Sequence, residues 1–111
     1  MVKNQLDDVF SALADPTRRA IVDMLAAHGP RTAGELAAPH PISLPAVSRH
    51  LTVLERVGLT TRQRHGRHQV ISLNPRPLRD AARWLERHHA FWTERLDALD
   101  VYLAHTTEEK R

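Results

Sequence analysis

The chain has 111 residues, 41% of them hydrophobic, which predicts one domain, residues 1–111, with an adequate but small core. It contains no cysteine, which excludes disulfides, thiolate metal sites and a cysteine nucleophile and makes the cytoplasm the expected location. No apolar run approaches the roughly 20 residues that span a bilayer, and the start Met-Val-Lys-Asn lacks the apolar stretch of a signal peptide, so no membrane partner is expected.

The first predicted element is a short helix, with Leu6, Val9, Phe10 and Leu13 at i, i+3, i+4 and i+7. Asp15-Pro16 ends it and opens a second helix, Asp15 as N-cap and Pro16 at the first helical position. Ile21, Met24 and Leu25 are expected to face inward, and His28-Gly29-Pro30 stops the run. Arg18 and Arg19 read as a solvated face, with contact to phosphate as the alternative. Thr32 then starts a brief third helix, because Glu35 three residues on completes a capping box and leaves Leu36 to pack. Open N–H groups near Thr32 offer a place for a phosphate. Pro39-His40-Pro41 breaks that helix, since residues before proline avoid the helical region.

Residues 43–57 form the fourth predicted helix. Ser43 can cap it and Pro45 falls in its first turn, where a missing N–H costs little. Leu44, Val47, Leu51 and Leu54 make one apolar stripe. The opposite side carries Pro45, Ala46, Ser48, Arg49, Thr52 and Arg56, which are small, hydroxylated or cationic. Helix, proline-bearing turn, helix is the arrangement of a helix-turn-helix, with residues 43–57 as the reading helix. Gly58 ends it, and two strand-like runs flank His65-Gly66-Arg67, with Val70, Ile71 and Leu73 on the return strand.

The longest helix is expected from Pro75 to about Ala104. Leu78, Leu85, Trp92 and Leu99 are spaced by seven, and Ala82, His89, Leu96 and Leu103 interleave with them. Such a seam marks helix pairing, with packing on the domain's own core as the alternative. His89 on this seam reads as a satisfied buried histidine. Four of the five aromatic residues, Trp84, Phe91, Trp92 and Tyr102, fall in this helix. That concentration suggests an interface, or a pocket beside it for a small apolar effector.

Charge is segregated along the chain. Residues 1–42 hold four Lys and Arg against five acids, and residues 76–111 hold seven of each. Residues 43–75 hold five arginines against Glu55 alone, so the whole net charge of +3 arises in the reading helix and hairpin. A localised basic patch is the footprint of polyanion binding; a solvated arginine-rich hairpin without a partner is the alternative. No Gly-rich phosphate loop, paired carboxylate motif or nucleophile constellation occurs, so enzymatic activity is not expected.

The segments LADPTRRAIVDML, TAGELA, ISLPAVSRHLTVLERVGL and RQRHGRH together resemble the arsenical-resistance repressor (ArsR) family of bacterial winged-helix regulators, over roughly residues 6–104. The resemblance implies a mainly α fold with a small β-hairpin wing (α+β), a winged helix-turn-helix of four helices, two strands and a final helix. It also implies a homodimer, paired through its terminal helices, that binds a double-stranded operator, usually as a repressor. By position, Ser43, Pro45, Ala46, Ser48, Arg49 and His50 take the groove-contact role, with Thr52 on the same face and Thr32 at the third helix. His50 has an equal structural reading, packing against the third helix. Arg62, Arg64, His65, Gly66 and Arg67 take the wing. Leu6 and Phe10 are expected to join the seam of Leu78, Ala82, Leu85, His89, Trp92, Leu96, Leu99 and Leu103 at the dimer interface.

The family's sensing sites do not carry over. Its thiolate sensors follow the Glu-Leu of the third helix, where this chain has Ala37-Ala38, so soft metals lose their ligands. Its other metal site pairs Asp-x-His with His-x-x-Glu on the last helix. His105 and Glu108 fit the second half, but Trp92 and Glu94 stand at the first; Glu86 and His88 approximate a first half whose partner would be Leu99. No metal or cofactor is therefore expected. The competing readings are a metal-responsive regulator and a winged helix used as a protein-interaction module, the latter disfavoured by the basic surface.

Overall fold

The computed structural model describes residues 5–109, with side chains for residues 5–105. Its element order is α1 (Gln5–Ala12), α2 (Pro16–His28), β1 (Arg31–Thr32), α3 (Ala33–Ala37), α4 (Leu44–Arg56), β2 (Thr60–His65), β3 (His68–Leu73) and α5 (Arg76–Glu109). The chain divides into two compact units, one up to Asp80 and one from Ala81 onward. The first holds the helix-turn-helix and the hairpin.

The helix boundaries follow from capping chemistry. The Asp15 carboxylate accepts the Arg18 amide at 3.0 Å, with Pro16 opening α2. Thr32 Oγ1 accepts from the Glu35 amide at 3.2 Å while Glu35 accepts from the Thr32 amide at 3.0 Å, so the capping box is complete. Ser43 Oγ accepts from the Ala46 amide at 3.3 Å. At the far end of α4, Gly58 adopts φ +80, its N–H donates to Glu55 O, and the Leu59 N–H donates to Leu54 O. This is a Schellman ending, which only a residue at ease with positive φ allows. It returns Leu59, fully buried, to the core beside the end of α4.

The core of this unit consists of Val9, Ala12, Ile21, Val22, Leu25, Leu36, Val47, Leu51, Leu54, Leu59 and Ile71. Val22 is buried and Met24 only half-buried, an exchange relative to the expected inward face of α2. Leu44 departs further from expectation: it heads the apolar stripe of α4 yet lies exposed.

The sheet has three strands in the order β1-β3-β2, all antiparallel. Strand β1 was not expected; Arg31 pairs with Ile71 and Thr32 with Val70, immediately before Thr32 caps α3. Two residues carry no periodicity, so only the pairing partner reveals the strand. The hairpin turn contains two residues, Gly66 and Arg67, because β2 runs through His65 to pair with His68. Gly66 has φ +62 and Arg67 does not have positive φ, the pattern of a type II′ turn.

Asn74 joins the hairpin to α5. Its amide donates to Leu59 O at 2.8 Å, its Nδ2 to Gly58 O at 3.0 Å, and its Oδ1 accepts from the Arg76 amide at 3.3 Å. Helix α5 continues to Glu109, five residues past the expected end. No glycine or proline follows Ala104 to stop it, and threonines cost a helix only a fraction of a kcal/mol each.

Asp15 supplies the first stability prediction. Its carboxyl is held below the ordinary value of 3.8, first by the Arg18 amide and also by the charges of His50 and Arg18. The stabilisation is therefore complete above the ordinary carboxylate value and disappears as pH falls through the lowered one. Asp15→Ala should cost about 1 kcal/mol in urea unfolding at neutral pH. The gap between the two proteins should narrow on acidification; a gap unchanged by acid would show that the charge is irrelevant.

Candidate nucleic-acid interface

The exposed side of α4 is built from its first turn onward by Ser43, Pro45, Ala46, Ser48, Arg49 and Thr52. Arg49 and Thr52 are exposed, while Ser48 and Ala46 are partly covered. Thr52 Oγ1 donates to Ser48 O at 3.0 Å, which directs this hydroxyl back along the helix. Val47, Leu51 and Leu54 anchor the other side with at most 1% exposure. One rigid helix thus buries an aliphatic face and presents a small, cationic one, a shape that enters a major groove.

His50 is turned elsewhere. Its Nδ1 lies 3.3 Å from Arg18 Nη1 and 3.8 Å from Asp15 Oδ2, at the start of α2. A guanidinium cannot accept, so the Arg18 contact is a hydrogen bond only for the neutral ring with its proton on Nε2, and the Asp15 contact is an ion pair only for the protonated ring. The polar partners of His50 lie at the start of α2, a pairing its place in the sequence does not signal.

Arg18 is half-buried and Arg19 exposed, and both guanidiniums are engaged by backbone carbonyls. Arg18 Nε donates to Ala12 O at 2.5 Å and Nη2 to Ser11 O at 3.4 Å; Arg19 Nη1 donates to Leu13 O at 2.7 Å. Both guanidiniums cap carbonyls at the end of α1, where positive charge is also favoured by the helix dipole. Arg18 therefore connects α1, α2 and the reading helix. Nothing in its position along α2 reveals this, because the acceptors lie six and seven residues away.

The wing residues divide by the alternation of the strand. Arg62 pairs with the buried Ile71 and so falls on the core-side face. Its Nη1 donates to Gln69 Oε1 at 2.9 Å, and its Nε stands 3.3 Å from Glu55 Oε2 without hydrogen-bond alignment. Glu55 is the one acid of residues 43–75, so Arg62 neutralises it and Arg49, Arg56, Arg64 and Arg67 carry the surplus. Arg64, His65, Gly66 and Arg67 are exposed around the hairpin tip. Arg64 Nε donates to Gly66 O at 3.2 Å, which ties its guanidinium to the turn.

Thr32 does not offer the expected phosphate site. Its amide is taken by Glu35, whose carboxyl the Thr32 amide and hydroxyl hold below the usual range. An ionised carboxylate thus occupies the place where an anion would bind.

In the second unit, α5 shows Leu85, Trp92, Leu96, Leu99 and Leu103 exposed by 51–59%, together with Phe91, Val101 and Tyr102. Ala82 is exposed, and so is His89, whose Nε2 lies 3.4 Å from Thr93 Oγ1; the protomer does not bury that histidine. Trp84 stacks on His88 at 4.5 Å and Arg95 sits over Phe91 at 4.1 Å. In the first unit, Leu6 and Leu78 are partly covered and Phe10 is exposed. Among the described residues no three His, Asp or Glu side chains gather as a metal site would require. No helix among them is long and apolar enough to cross a membrane.

Fold and surface together define a winged helix-turn-helix DNA-binding protein. Residues 13–63 match the family model of a helix-turn-helix domain. The chain is 47% identical to the HTH-type transcriptional regulator Rv2034 of Mycobacterium tuberculosis, over 81% of this chain and 80% of that protein. It is 39% identical to the transcriptional repressor SdpR of Bacillus subtilis, over 72% and 88%. Among solved structures, an ArsR family transcriptional regulator superposes with TM-score 0.74 and 36% identity, covering 81% of this chain and 98% of that one. The homodimeric winged helix-turn-helix domain of a possible ArsR-family regulator from Mycobacterium bovis has TM-score 0.60 and 29% identity, covering 85% and 83%. The chain belongs to the ArsR family of winged helix-turn-helix transcriptional regulators; it is not an enzyme, and it is a member without cysteine.

Proposed function

We propose that the protein is a cytoplasmic repressor that binds, as a homodimer, a two-fold symmetric operator in double-stranded DNA. The observation that carries this reading is the exposed, cationic face of α4, continued by Arg64 and Arg67 on the wing. Arg49 and the small residues around it are assigned to base edges, and Arg56, Arg64 and Arg67 to phosphates. The seam of α5, with Leu6 and Phe10 of α1, is assigned to the partner subunit. Repression and dimer formation are supported by the relatives named as a repressor and as a homodimer.

Selection from random duplexes, followed by a salt titration on the best site, tests the proposal. Six phosphate-neutralising arginines in a dimer imply a slope of log K against log salt of roughly −5, or about 10³-fold between 50 and 200 mM. A salt-insensitive complex, or no selected site, rejects it in favour of a protein-interaction module. In the same assay a chelator should leave affinity unchanged; a metal-dependent shift would instead establish a metal-responsive regulator. An apolar effector remains part of the proposal. It is supported by the aromatic side chains of α5 and, in the first unit, by a cleft of about 350 Å³ lined by Leu13, Val22, Ala26 and Leu78, with Arg19 and Asp23.

A further inference from the structure

We infer that Leu44 reads the methyl group of a thymine in each half-site, an inference that rests on the DNA-reading role proposed for α4. Leu44 is the first residue of α4 and is 52% exposed, whereas the other members of its stripe are buried. Among the described residues up to Asp80, the only other exposed large hydrophobic side chain is Phe10 on α1, at 38%. The core therefore leaves Leu44 out; it stands one turn before Ser48, at the border between the buried stripe and the exposed side of α4.

The chemistry around Leu44 narrows what that tip can read. The Ser43 hydroxyl accepts from the Ala46 amide and keeps its own O–H as the one side-chain donor, and Pro45 and Ala46 have no polar side-chain atoms. The first turn thus offers mainly hydrocarbon. N-terminal residues of a reading helix contact base edges, and the apolar group among major-groove base edges is the thymine C5-methyl. A leucine there favours thymine over cytosine, which presents an amino donor that Leu44 cannot satisfy. Arg49 follows five residues later, about 7.5 Å along the helix axis, so the two side chains address different base pairs. The half-site should accordingly hold a thymine read by Leu44 and, at a separate pair, a guanine read by Arg49.

Deoxyuridine, which pairs as thymine does but lacks the methyl, isolates the contact. In the duplex selected by the wild-type protein, each thymine of one half-site is replaced in turn. One replacement should weaken wild-type binding about fourfold, the effect of exposing one methyl-sized group. Leu44→Ala should bind the thymine and deoxyuridine duplexes equally at that position. Because Leu44 is exposed, the variant should keep the helical content, melting temperature and salt slope of the wild type. Wild-type indifference to deoxyuridine throughout the half-site overturns the inference, as does a Leu44→Ala protein that keeps the fourfold preference; in both cases the salt-dependent binding proposed for α4 still stands. Failure to select any duplex overturns the reading role of α4 and the thymine contact together.

Discussion

Leu96→Asp is expected to convert the protein into monomers that lose the palindromic operator while keeping weak nonspecific DNA binding. A single reading helix addresses only a few base pairs, and each mismatch costs on the order of 1–3 kcal/mol. Two copies held about 34 Å apart read a palindrome, and α5 is the element long enough to fix that distance. Its 34 residues extend about 50 Å at 1.5 Å per residue. Leu85, Trp92, Leu96, Leu99 and Leu103 stand half-exposed on the protomer, and each contributes about 1.5–3 kcal/mol when fully buried, before the entropy of association is subtracted. A carboxylate at position 96 would bury an unpaired charge in each subunit, at a cost of several kcal/mol per charge. Sedimentation should show monomers, circular dichroism should show retained helix, and operator affinity should fall about 10²–10⁴-fold as the linkage between half-sites is lost. A Leu96→Asp protein that remains dimeric and holds its operator tightly would remove α5 from the interface.

Arg49→Ala should separate specific from nonspecific binding. A bidentate arginine–guanine pair discriminates by about 1–3 kcal/mol, and a dimer on a palindrome loses it twice. Random DNA loses no base contact, so its affinity should hardly change. Arg64→Ala and Arg67→Ala should behave differently: their side chains are exposed at the hairpin tip and are assigned to phosphates, so both kinds of DNA should be weakened alike. Fluorescence titration of the selected site and a scrambled duplex by the three variants distinguishes the roles. Equal losses on both duplexes for Arg49→Ala would move that arginine from bases to backbone.

The dominant features of the fold were legible because they are local. Asp15-Pro16, Thr32 with Glu35, Ser43 with Pro45, and Gly58 each place a cap where one backbone group needs a partner within a few residues. The aliphatic stripe of α4 and the Gly66 turn are likewise patterns of period and φ. Features that depend on long-range partners were not legible. Strand β1 exists only because β3 returns beside it, forty residues on. Asn74 acts through Gly58 and Leu59, sixteen and fifteen residues earlier.

The candidate site divides in the same way. Charge segregation and the small, cationic side of α4 are properties of sequence order, so the exposed side of α4 and the basic hairpin tip could be located without coordinates. The partner of each charge could not. Tertiary structure turns Arg18 and Arg19 into caps of α1, gives His50 to the start of α2, pairs Arg62 with Glu55 and fills the Thr32 amide with Glu35. It also leaves Leu44 outside the core that its periodicity would have assigned it. Periodicity defines which side of an element a residue occupies. Whether that side is covered, and which charges meet across it, depends on where the neighbouring elements end, and only the packed chain determines that.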